Sequence, residues 1–127
     1  MKVLVIERNA ALVRAWNRLL SDLGCVEFAE SLQEAREKIQ ETRYSIFLCG
    51  GELPEARDGK ARIEYTITFL KELFASSASR PVVFITASWP ENQTMMMEVG
   101  CQAIVDKSKV GDMLRELIET AKDINKK

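Results

Sequence analysis

Charged or small polar residues stand at the ends of four apolar runs, which are the places in this sequence where chemistry could occur. They are Glu7 and Arg8 after VLVI, Gly50 after YSIFLC, Thr86 in PVVFITA, and Lys107 after AIVD. Two cations together with the consecutive amides of Gly50 and Gly51 could form a small nest for an anion. Imidazole chemistry is excluded, because none of the 127 residues is histidine.

Composition and motif content exclude further classes of function. The 18 basic and 19 acidic side chains give a net charge of −1, which offers no basic field to nucleic acid. The longest early apolar run, Val3–Ile6, is shorter than the roughly 7–15 residues of a secretory leader. The phosphate-loop patterns GxGxxG and GxxxxGK[ST] are absent. We therefore expect neither a nucleic-acid partner nor a membrane partner.

The three cysteines, Cys25, Cys49 and Cys101, are odd in number and widely spaced. They match neither a CxxC pair nor a zinc pattern. We expect them to be small buried hydrophobes in a reducing compartment, which predicts a cytoplasmic protein.

Short apolar runs and helical stripes alternate along the whole chain. The runs predict five strands, at Lys2–Ile6, Cys25–Glu30, Tyr44–Cys49, Pro81–Ala87 and Cys101–Val105. Such alternation predicts an α/β fold with a doubly wound five-stranded parallel sheet, of order 2-1-3-4-5, in a flavodoxin-like (βα)5 three-layer sandwich. We expect one domain over residues 1–122 and a polar tail over residues 123–127. Ligands of such folds bind at the carboxyl ends of the strands, so the polar residues above should lie close together.

Capping residues and apolar spacing predict where the helices begin and which side of each is buried. The predicted caps are Asn9, the capping-box patterns Ser31 with Glu34 and Ser88 with Pro90 and Glu91, and Ser108 for the last helix. The predicted inner faces are Leu12, Ala15, Trp16, Leu19 and Leu23 in the first helix, and Val110, Met113, Leu117, Ala121 and Ile124 in the last. Residues 50–59 and 76–80 are predicted loops.

Four segments, taken in order, resemble the receiver domain of bacterial two-component response regulators. The segments are VLVIERN, YSIFLCGGELPEARDG, PVVFITA and GCQAIVDK. The resemblance covers nearly the whole chain and implies a role in phosphorelay signal transduction rather than enzymatic activity. It assigns Glu7 to the first metal-binding acid, Thr86 to the hydroxyl switch and Lys107 to the lysine that follows the fifth strand.

The chain departs from the family pattern at the positions that carry its chemistry. Arg8 stands where the family has a second acid, and Gly50 stands at the phosphoacceptor aspartate. Ile104 replaces the switch aromatic, and Ser108 replaces a proline, so we expect a trans Lys107–Ser108 bond. Glu7, Arg8 and Lys107 give this pocket a charge of +1, where the family pocket has −2. We expect a pseudo-receiver that neither accepts phosphate nor binds magnesium or another cofactor, with Arg8 and Lys107 sharing Glu7.

The resemblance places the family's output face on the fourth helix, fifth strand and fifth helix. Trp89, Met95, Met96 and Ile104 fall on this face and could form an apolar partner surface. Consecutive helical residues differ by about 100° in direction, so at least one residue of the run Met95 to Met97 should be exposed. We expect the partner to be another signalling protein or a second copy of the chain. The alternative is that Trp89 and one methionine simply pack on each other.

Three other functions stay open from the sequence. A working phosphoacceptor is possible if the third strand is aligned wrongly by a residue or more. An enzyme or binding protein on a flavodoxin-like sheet is disfavoured by the absence of histidine and of a phosphate loop. The third alternative is a small-anion sensor built on Arg8, Lys107 and the Gly50–Gly51 amides.

Overall fold

The computed structural model describes residues 1–76 and 81–125. In chain order, its strands are β1 Val3–Ile6, β2 Val26–Ala29, β3 Ile46–Cys49, β4 Leu53–Pro54, β5 Ala61–Arg62, β6 Val82–Ile85 and β7 Ala103–Ile104. The helices are α1 Ala10–Leu20, α2 Leu32–Glu41, α3 Ile63–Ser76, α4 Pro90–Val99 and α5 Val110–Asn125. No helix within these residues is both long and apolar enough to cross a membrane.

Five strands form one parallel sheet in the order β2-β1-β3-β6-β7. Counting only the strands of this sheet, the order is the predicted 2-1-3-4-5, so the predicted fold is confirmed. The remaining two strands, β4 and β5, pair antiparallel within the segment that joins β3 to α3. The predicted loop over residues 50–59 was therefore wrong in part, because it contains Leu53 and Pro54 of this ribbon.

The sheet separates two apolar layers. Alternate side chains of a strand point to opposite faces, so Leu4 and Ile6 pack on the α2, α3 and α4 side, while Val3 and Val5 pack on the α1 and α5 side. All four residues of β1 are buried, as a central parallel strand covered on both faces requires. The sandwich therefore holds β1 and β3 rigidly in its centre.

Two predicted caps are confirmed. The Asn9 side-chain oxygen accepts hydrogen bonds from the N–H groups of Ala11 and Leu12, at 3.0 and 3.2 Å. The Ser31 hydroxyl accepts from the Glu34 N–H at 3.1 Å. The Glu34 carboxylate reaches back to the N–H of Glu30 at 3.1 Å, which fixes the entry to α2.

The other two predicted caps were wrong. α4 begins at Pro90 and is preceded by Trp89, and no side chain in the described part of the chain caps it, so Ser88 and Glu91 do not form a capping box. Before α5 the cap is Asp106, whose carboxylate accepts from the Ser108 N–H at 2.8 Å and opens a 3-10 turn over Lys107–Lys109. A carboxylate two residues upstream thus competes successfully with the Ser108 hydroxyl, which itself donates to Asp106 at 2.6 Å. The Lys107–Ser108 bond is trans, as predicted.

The predicted inner faces of α1 and α5 were each rotated from the observed ones. Leu19 is 58% exposed and Ala15 is exposed, whereas Leu20 is buried with Trp16. In α5, Leu114 and Ile118 are fully buried, and the predicted Met113 and Leu117 lie half-buried beside them. Both helices carry apolar residues on adjacent faces, so spacing alone did not select the one that meets the sheet. α5 continues to Asn125.

The predicted loop over residues 76–80 begins at Ser76, the last residue of α3, and residues 77–80 lie outside the described residues. Gly24 ends the 3-10 turn Ser21–Leu23 that follows α1, and Gly100 ends α4, with positive φ angles of 69° and 121° that favour glycine.

Candidate functional site

Parallel pairing places the carboxyl ends of three central strands side by side. The Gly50 N–H donates to the Ile6 carbonyl at 2.9 Å, and the Thr86 N–H donates to the Cys49 carbonyl at 3.0 Å. A cleft of about 200 Å³ opens at this edge, and its lining includes Glu7, Arg8, Gly50 and Lys107. Four of the five predicted site residues thus share one cleft, as the strand order required.

Thr86 lines a neighbouring cleft that shares Lys107 with the first. This second cleft also contains Gln93 and Ile104, the residue at the position of the family's switch aromatic. Thr86 is buried, whereas Ile104 is exposed. The Gln93 side chain donates to the Ala87 carbonyl at 2.8 Å, which fixes the start of α4 beside Thr86.

Glu7 is the charged residue at the centre of the site. It is only 3% exposed, and a buried carboxylate needs compensating partners. Its Oε2 atom accepts from the Asn9 N–H at 2.9 Å, and its Oε1 atom lies 3.2 Å from Lys107 Nζ. The contact with Lys107 is an ion pair by distance, but no described donor reaches Oε1 at hydrogen-bonding angles.

Arg8 does not share Glu7 with Lys107, so that part of the prediction was wrong. The Arg8 side chain is exposed and lines the cleft, but it forms no ion pair with any carboxylate in residues 1–76 and 81–121. Successive side chains at a strand end point in opposite directions, so Glu7 turns inward and Arg8 turns toward solvent. The Lys107 ammonium group alone therefore neutralises the buried Glu7 carboxylate, and the Arg8 guanidinium forms no ion pair with a described carboxylate.

Gly50 and Gly51 occupy very different environments. A Cβ atom at Gly50 would lie 3.3 Å from Leu53 Cδ2 and 3.5 Å from Glu7 Oε1, so a small side chain fits there beside Glu7. A Cβ atom at Gly51 would lie 2.9 Å from Ala87 Cβ and 3.2 Å from Asn92 Nδ2, which is too close. The Thr66 hydroxyl of α3 also donates to the Gly51 carbonyl. The loop backbone is thus held between α3 and the start of α4.

Gly51, Thr66 and Asn92 contribute to this site, and no specific contact was predicted for any of them from the sequence. Gly51 was predicted only as part of the anion nest, and the Gly50–Gly51 pair was the available signal. Thr66 and Asn92 are buried polar residues on helices whose apolar neighbours dominated the pattern. Nothing in their spacing distinguishes them from solvated helix positions.

Cys49 precedes Gly50 directly, but it cannot serve as a substitute nucleophile at neutral pH. Complete burial, together with the nearby Cys101 thiol and the Glu7 carboxylate, raises the pKa of the Cys49 thiol well above its ordinary value. Burial likewise raises the pKa of Cys101 to about 12. Both groups remain neutral thiols near pH 7, and the thiolate is the reactive form.

Three of the four residues predicted for the apolar partner surface are exposed, and one is buried. Trp89 is 65% exposed, and Met95 and Ile104 are also exposed, whereas Met96 is 0% exposed and packs in the core. Met97 is exposed as well, so two of the three consecutive methionines face solvent. The error at Met96 arose because the side of α4 that meets the sheet could not be read from three similar residues in a row.

Comparison with known proteins identifies the fold through structure alone. No protein-family model matches this chain, and no curated protein matches it. The N-terminal domain of an uncharacterized protein from Wolinella succinogenes is similar with a TM-score of 0.77 at 17% identity, over 98% of this chain and 95% of that one. A CheY-like response regulator receiver domain protein from Methanospirillum hungatei is similar with a TM-score of 0.65 at 16% identity, over 96% of both chains.

The chemotaxis protein CheY4 of Vibrio cholerae is similar with a TM-score of 0.69 at 20% identity, over 94% of this chain and 96% of that one. Likenesses of this kind, spanning nearly the full length of each chain, show that this chain has the fold of response regulator receiver domains.

Proposed function

We propose that this chain is a receiver-like domain of two-component signal transduction that works without being phosphorylated, through contacts with other proteins. Gly50 carries the proposal. It occupies the end of the central strand β3, beside Glu7 and within the cleft lined by Lys107, where receivers place their acceptor aspartate. A glycine offers no nucleophile at that position, so no acyl phosphate can form on it.

Neighbouring groups do not replace the missing acid. Glu7 is buried and engaged by Lys107, Cys49 is a neutral thiol, and Glu52 is exposed two residues beyond Gly50. The proposal therefore does not include a shifted phosphoacceptor, and the domain acts as a binding module rather than as an enzyme.

The residues present do not fit the magnesium ion that receivers bind at this place. Mg²⁺ favours octahedral oxygen ligands and uses one or two carboxylates together with phosphate. Here Lys107 Nζ already lies 3.2 Å from Glu7 Oε1, and Arg8 lines the same cleft. Within the described residues, no group of three or more acidic, cysteine or histidine side chains could hold a metal ion. We propose a site that works without magnesium.

Protein contact is supported by the exposed apolar side chains on and beside α4. Trp89, Met95, Met97 and Ile104 each present apolar area to solvent. Aromatic and methionine side chains are enriched in protein interfaces. We propose that another signalling protein or a second copy of the chain binds this surface, in keeping with the net charge of −1, which disfavours nucleic acid.

Labelling with a small phosphodonor tests the proposal directly. We expect the wild-type chain to remain unlabelled by acetyl phosphate and to leave beryllofluoride unbound, as read by intact mass and ¹⁹F NMR. The matched variant is Arg8→Asp combined with Gly50→Asp, which places two acids beside Glu7, and a Cβ atom at position 50 comes no nearer than 3.3 Å to its neighbours. We expect this variant to become labelled. Labelling of the wild-type chain, at Glu52 or at any other residue, would overturn the proposal.

A further inference from the structure

Exposed apolar residues form a row along one side of α4. The Gln93 N–H donates to the Trp89 carbonyl at 3.0 Å, and Met97 follows Gln93 by four residues, so these three side chains lie one turn apart on the same side. Trp89 is 65% exposed and Met97 is 41% exposed. Met95 lies about 200° from Met97 around the helix, because consecutive residues differ by about 100°. The α4 row of Trp89, Gln93 and Met97 therefore does not include Met95.

The edge strand β7 borders the α4 row. Gln93 and Ile104 line the same groove, which has a volume of about 460 Å³. Ile104 is 49% exposed, so its apolar side chain adds to the row from β7. Because two helical turns separate Trp89 from Met97, the row is about 12 Å long. A partner helix lies well alongside such a row when its own apolar residues repeat at the same spacing.

The charged residues nearest in sequence to the α4 row are acidic. The segment from Pro81 to Asp106 contains no lysine or arginine. Its three acidic residues are all exposed, and they are Glu91, Glu98 and Asp106. Glu91 and Glu98 belong to α4 itself, and Asp106 lines the groove beside the row. The row therefore has negative charge along its helix and at its groove.

Two lysines follow this segment, and they offset its charge only in part. Lys107 also lines the groove, but its Nζ atom lies 3.2 Å from Oε1 of Glu7 and balances that carboxylate. Lys109 is exposed in the turn before α5. One further lysine against three exposed acids leaves a net negative charge, which attracts a cationic partner.

A second copy of the chain meets this surface with charge of the wrong sign. Two-fold dimers bring the same patch of both copies together. Glu91 and Glu98 of one copy would then face the same acids of the other, and like charges brought together across an interface are strongly unfavourable. A cationic segment of another protein avoids this repulsion.

We propose that the α4 row, together with Ile104, binds a cationic amphipathic helix of another protein. The apolar stripe of such a helix packs on Trp89 and Met97, and its lysines and arginines lie against the three acids. Exposed aromatic residues serve as anchors, and methionine adapts to the shape of a partner. This inference rests on the proposed function, because it specifies the partner that the proposed function leaves open.

The test uses a synthetic peptide of about 18 residues that carries leucines on one side of a helix and lysines on the other. One matched peptide replaces each lysine with glutamate, and another keeps the composition but breaks the apolar stripe. We expect the lysine peptide to bind the full chain saturably and to shift the Trp89 fluorescence to shorter wavelength, while the buried Trp16 contributes a constant signal. Added sodium chloride should weaken this binding, and both matched peptides should bind at least about tenfold more weakly.

Variants of the chain separate the α4 row from its surroundings. Trp89→Ala and Met97→Ala should each raise the Kd of the lysine peptide about tenfold, whereas Met95→Ala should raise it less. Glu98→Gln should raise the Kd a few-fold, because one attractive charge disappears from α4. Glu37→Gln is the matched control, since it removes the same charge from an exposed position of α2. Isothermal titration calorimetry measures each Kd, and all these substitutions change exposed side chains, so the fold is expected to persist.

The cationic-helix inference fails if the lysine peptide does not bind saturably, or if the glutamate peptide binds as tightly. It also fails if Met95→Ala and Met97→Ala raise the Kd equally, because the row would then not be the binding site. Self-association of the wild-type chain that Met97→Ala abolishes, without binding of the lysine peptide, would assign the surface to a second copy. All of these results leave the absence of phosphorylation untouched, whereas labelling by acetyl phosphate would overturn the proposed function alone.

Discussion

Lys107 Nζ lies 3.2 Å from Oε1 of Glu7. This contact joins the 3-10 turn that follows the edge strand β7 to the end of β1. The carboxylate is 3% exposed and the lysine side chain 34% exposed, so the pair lies at the boundary between core and solvent. In this chain the lysine neutralises a buried acid whose neighbour along the chain is Arg8 rather than a second acid. The contact between Lys107 and Glu7 therefore stabilises the fold.

Lys107→Met should destabilise the fold, because it leaves the Glu7 carboxylate buried with only the Asn9 N–H as a partner. Breaking a fully buried pair costs about 3–5 kcal/mol, and the partial exposure of Lys107 reduces our expectation to about 1–3 kcal/mol. Urea unfolding measures the loss. Lys109→Met is the matched control at an exposed lysine of the same turn, and equal stability of the two variants would contradict the prediction.

Gly51→Ala should destabilise the fold more than Gly50→Ala does. The new Cβ at position 51 would lie 2.9 Å from Ala87 Cβ, so β6, α4 or the loop must shift, at a cost of about 1–3 kcal/mol. At position 50 the nearest atom is the flexible end of Leu53, 3.3 Å away, and we expect a change within about 1 kcal/mol. Denaturant unfolding compares the two, and amide shifts in α4 should change with Gly51→Ala alone.

Comparing Met96→Ala with Met97→Ala should separate the contribution of α4 to fold stability from its contribution to binding other proteins. Met96 is fully buried, so its truncation should cost about 2–5 kcal/mol. Met97 is exposed, so its truncation should leave stability within about 0.5 kcal/mol while weakening partner binding or self-association. Unfolding and analytical ultracentrifugation measure the two effects. Unchanged association in Met97→Ala and Trp89→Ala together would argue against the α4 surface.

Alkaline pH should weaken the fold through Cys101. Burial raises the pKa of this thiol from 9.0 to about 12, so above pH 9 the unfolded chain releases a proton that the folded chain retains. This contribution to stability is complete below pH 9 and is lost as the pH rises toward 12. Between pH 9 and 11, we expect wild type to lose about 2 kcal/mol more than Cys101→Ala. Tyr44, whose pKa burial also raises to about 12, adds a loss common to both proteins.

Cys25→Ala is the control for this pH dependence, because Cys25 is only half-buried and lies outside the site. Unfolding curves recorded in urea at each pH give the comparison. Identical pH profiles for wild type and Cys101→Ala would show that the thiol contributes nothing.

The sequence predicted the sheet well because parallel central strands leave a simple signal. Continuous apolar runs such as VLVI and IFLC have few alternatives to a strand covered on both sides. The positions of Glu7, Gly50 and Lys107 followed from strand order alone, since all three stand at carboxyl ends. Helix faces were less predictable, because α1 and α4 carry apolar residues in several directions and only tertiary packing selects Leu20 over Leu19, or Met96 over Met97.

Side-chain pairing within the site could not be derived from strand order. Whether Arg8 turns toward Glu7 or toward solvent depends on the exact strand end, which sequence patterns locate only to within a few residues. The contacts of Asn92 and Thr66 could not be predicted for a related reason. They join segments that are far apart in the chain, since both residues lie against Gly51. Strand order located the cleft, but the contacts inside it required the structure.

The two edge strands of the main sheet, β2 and β7, restrict how copies of this protein can associate. At one edge, β7 pairs through just two residues, Ala103 and Ile104. At the other edge, β2 carries Glu27, which forms ion pairs with Lys2 and Lys38. A short edge strand and a charged edge strand are both poor templates for pairing with a further strand. Concentrated solutions should therefore resist fibril growth by sheet extension, and we expect any assembly to form through side-chain contacts rather than through strand pairing.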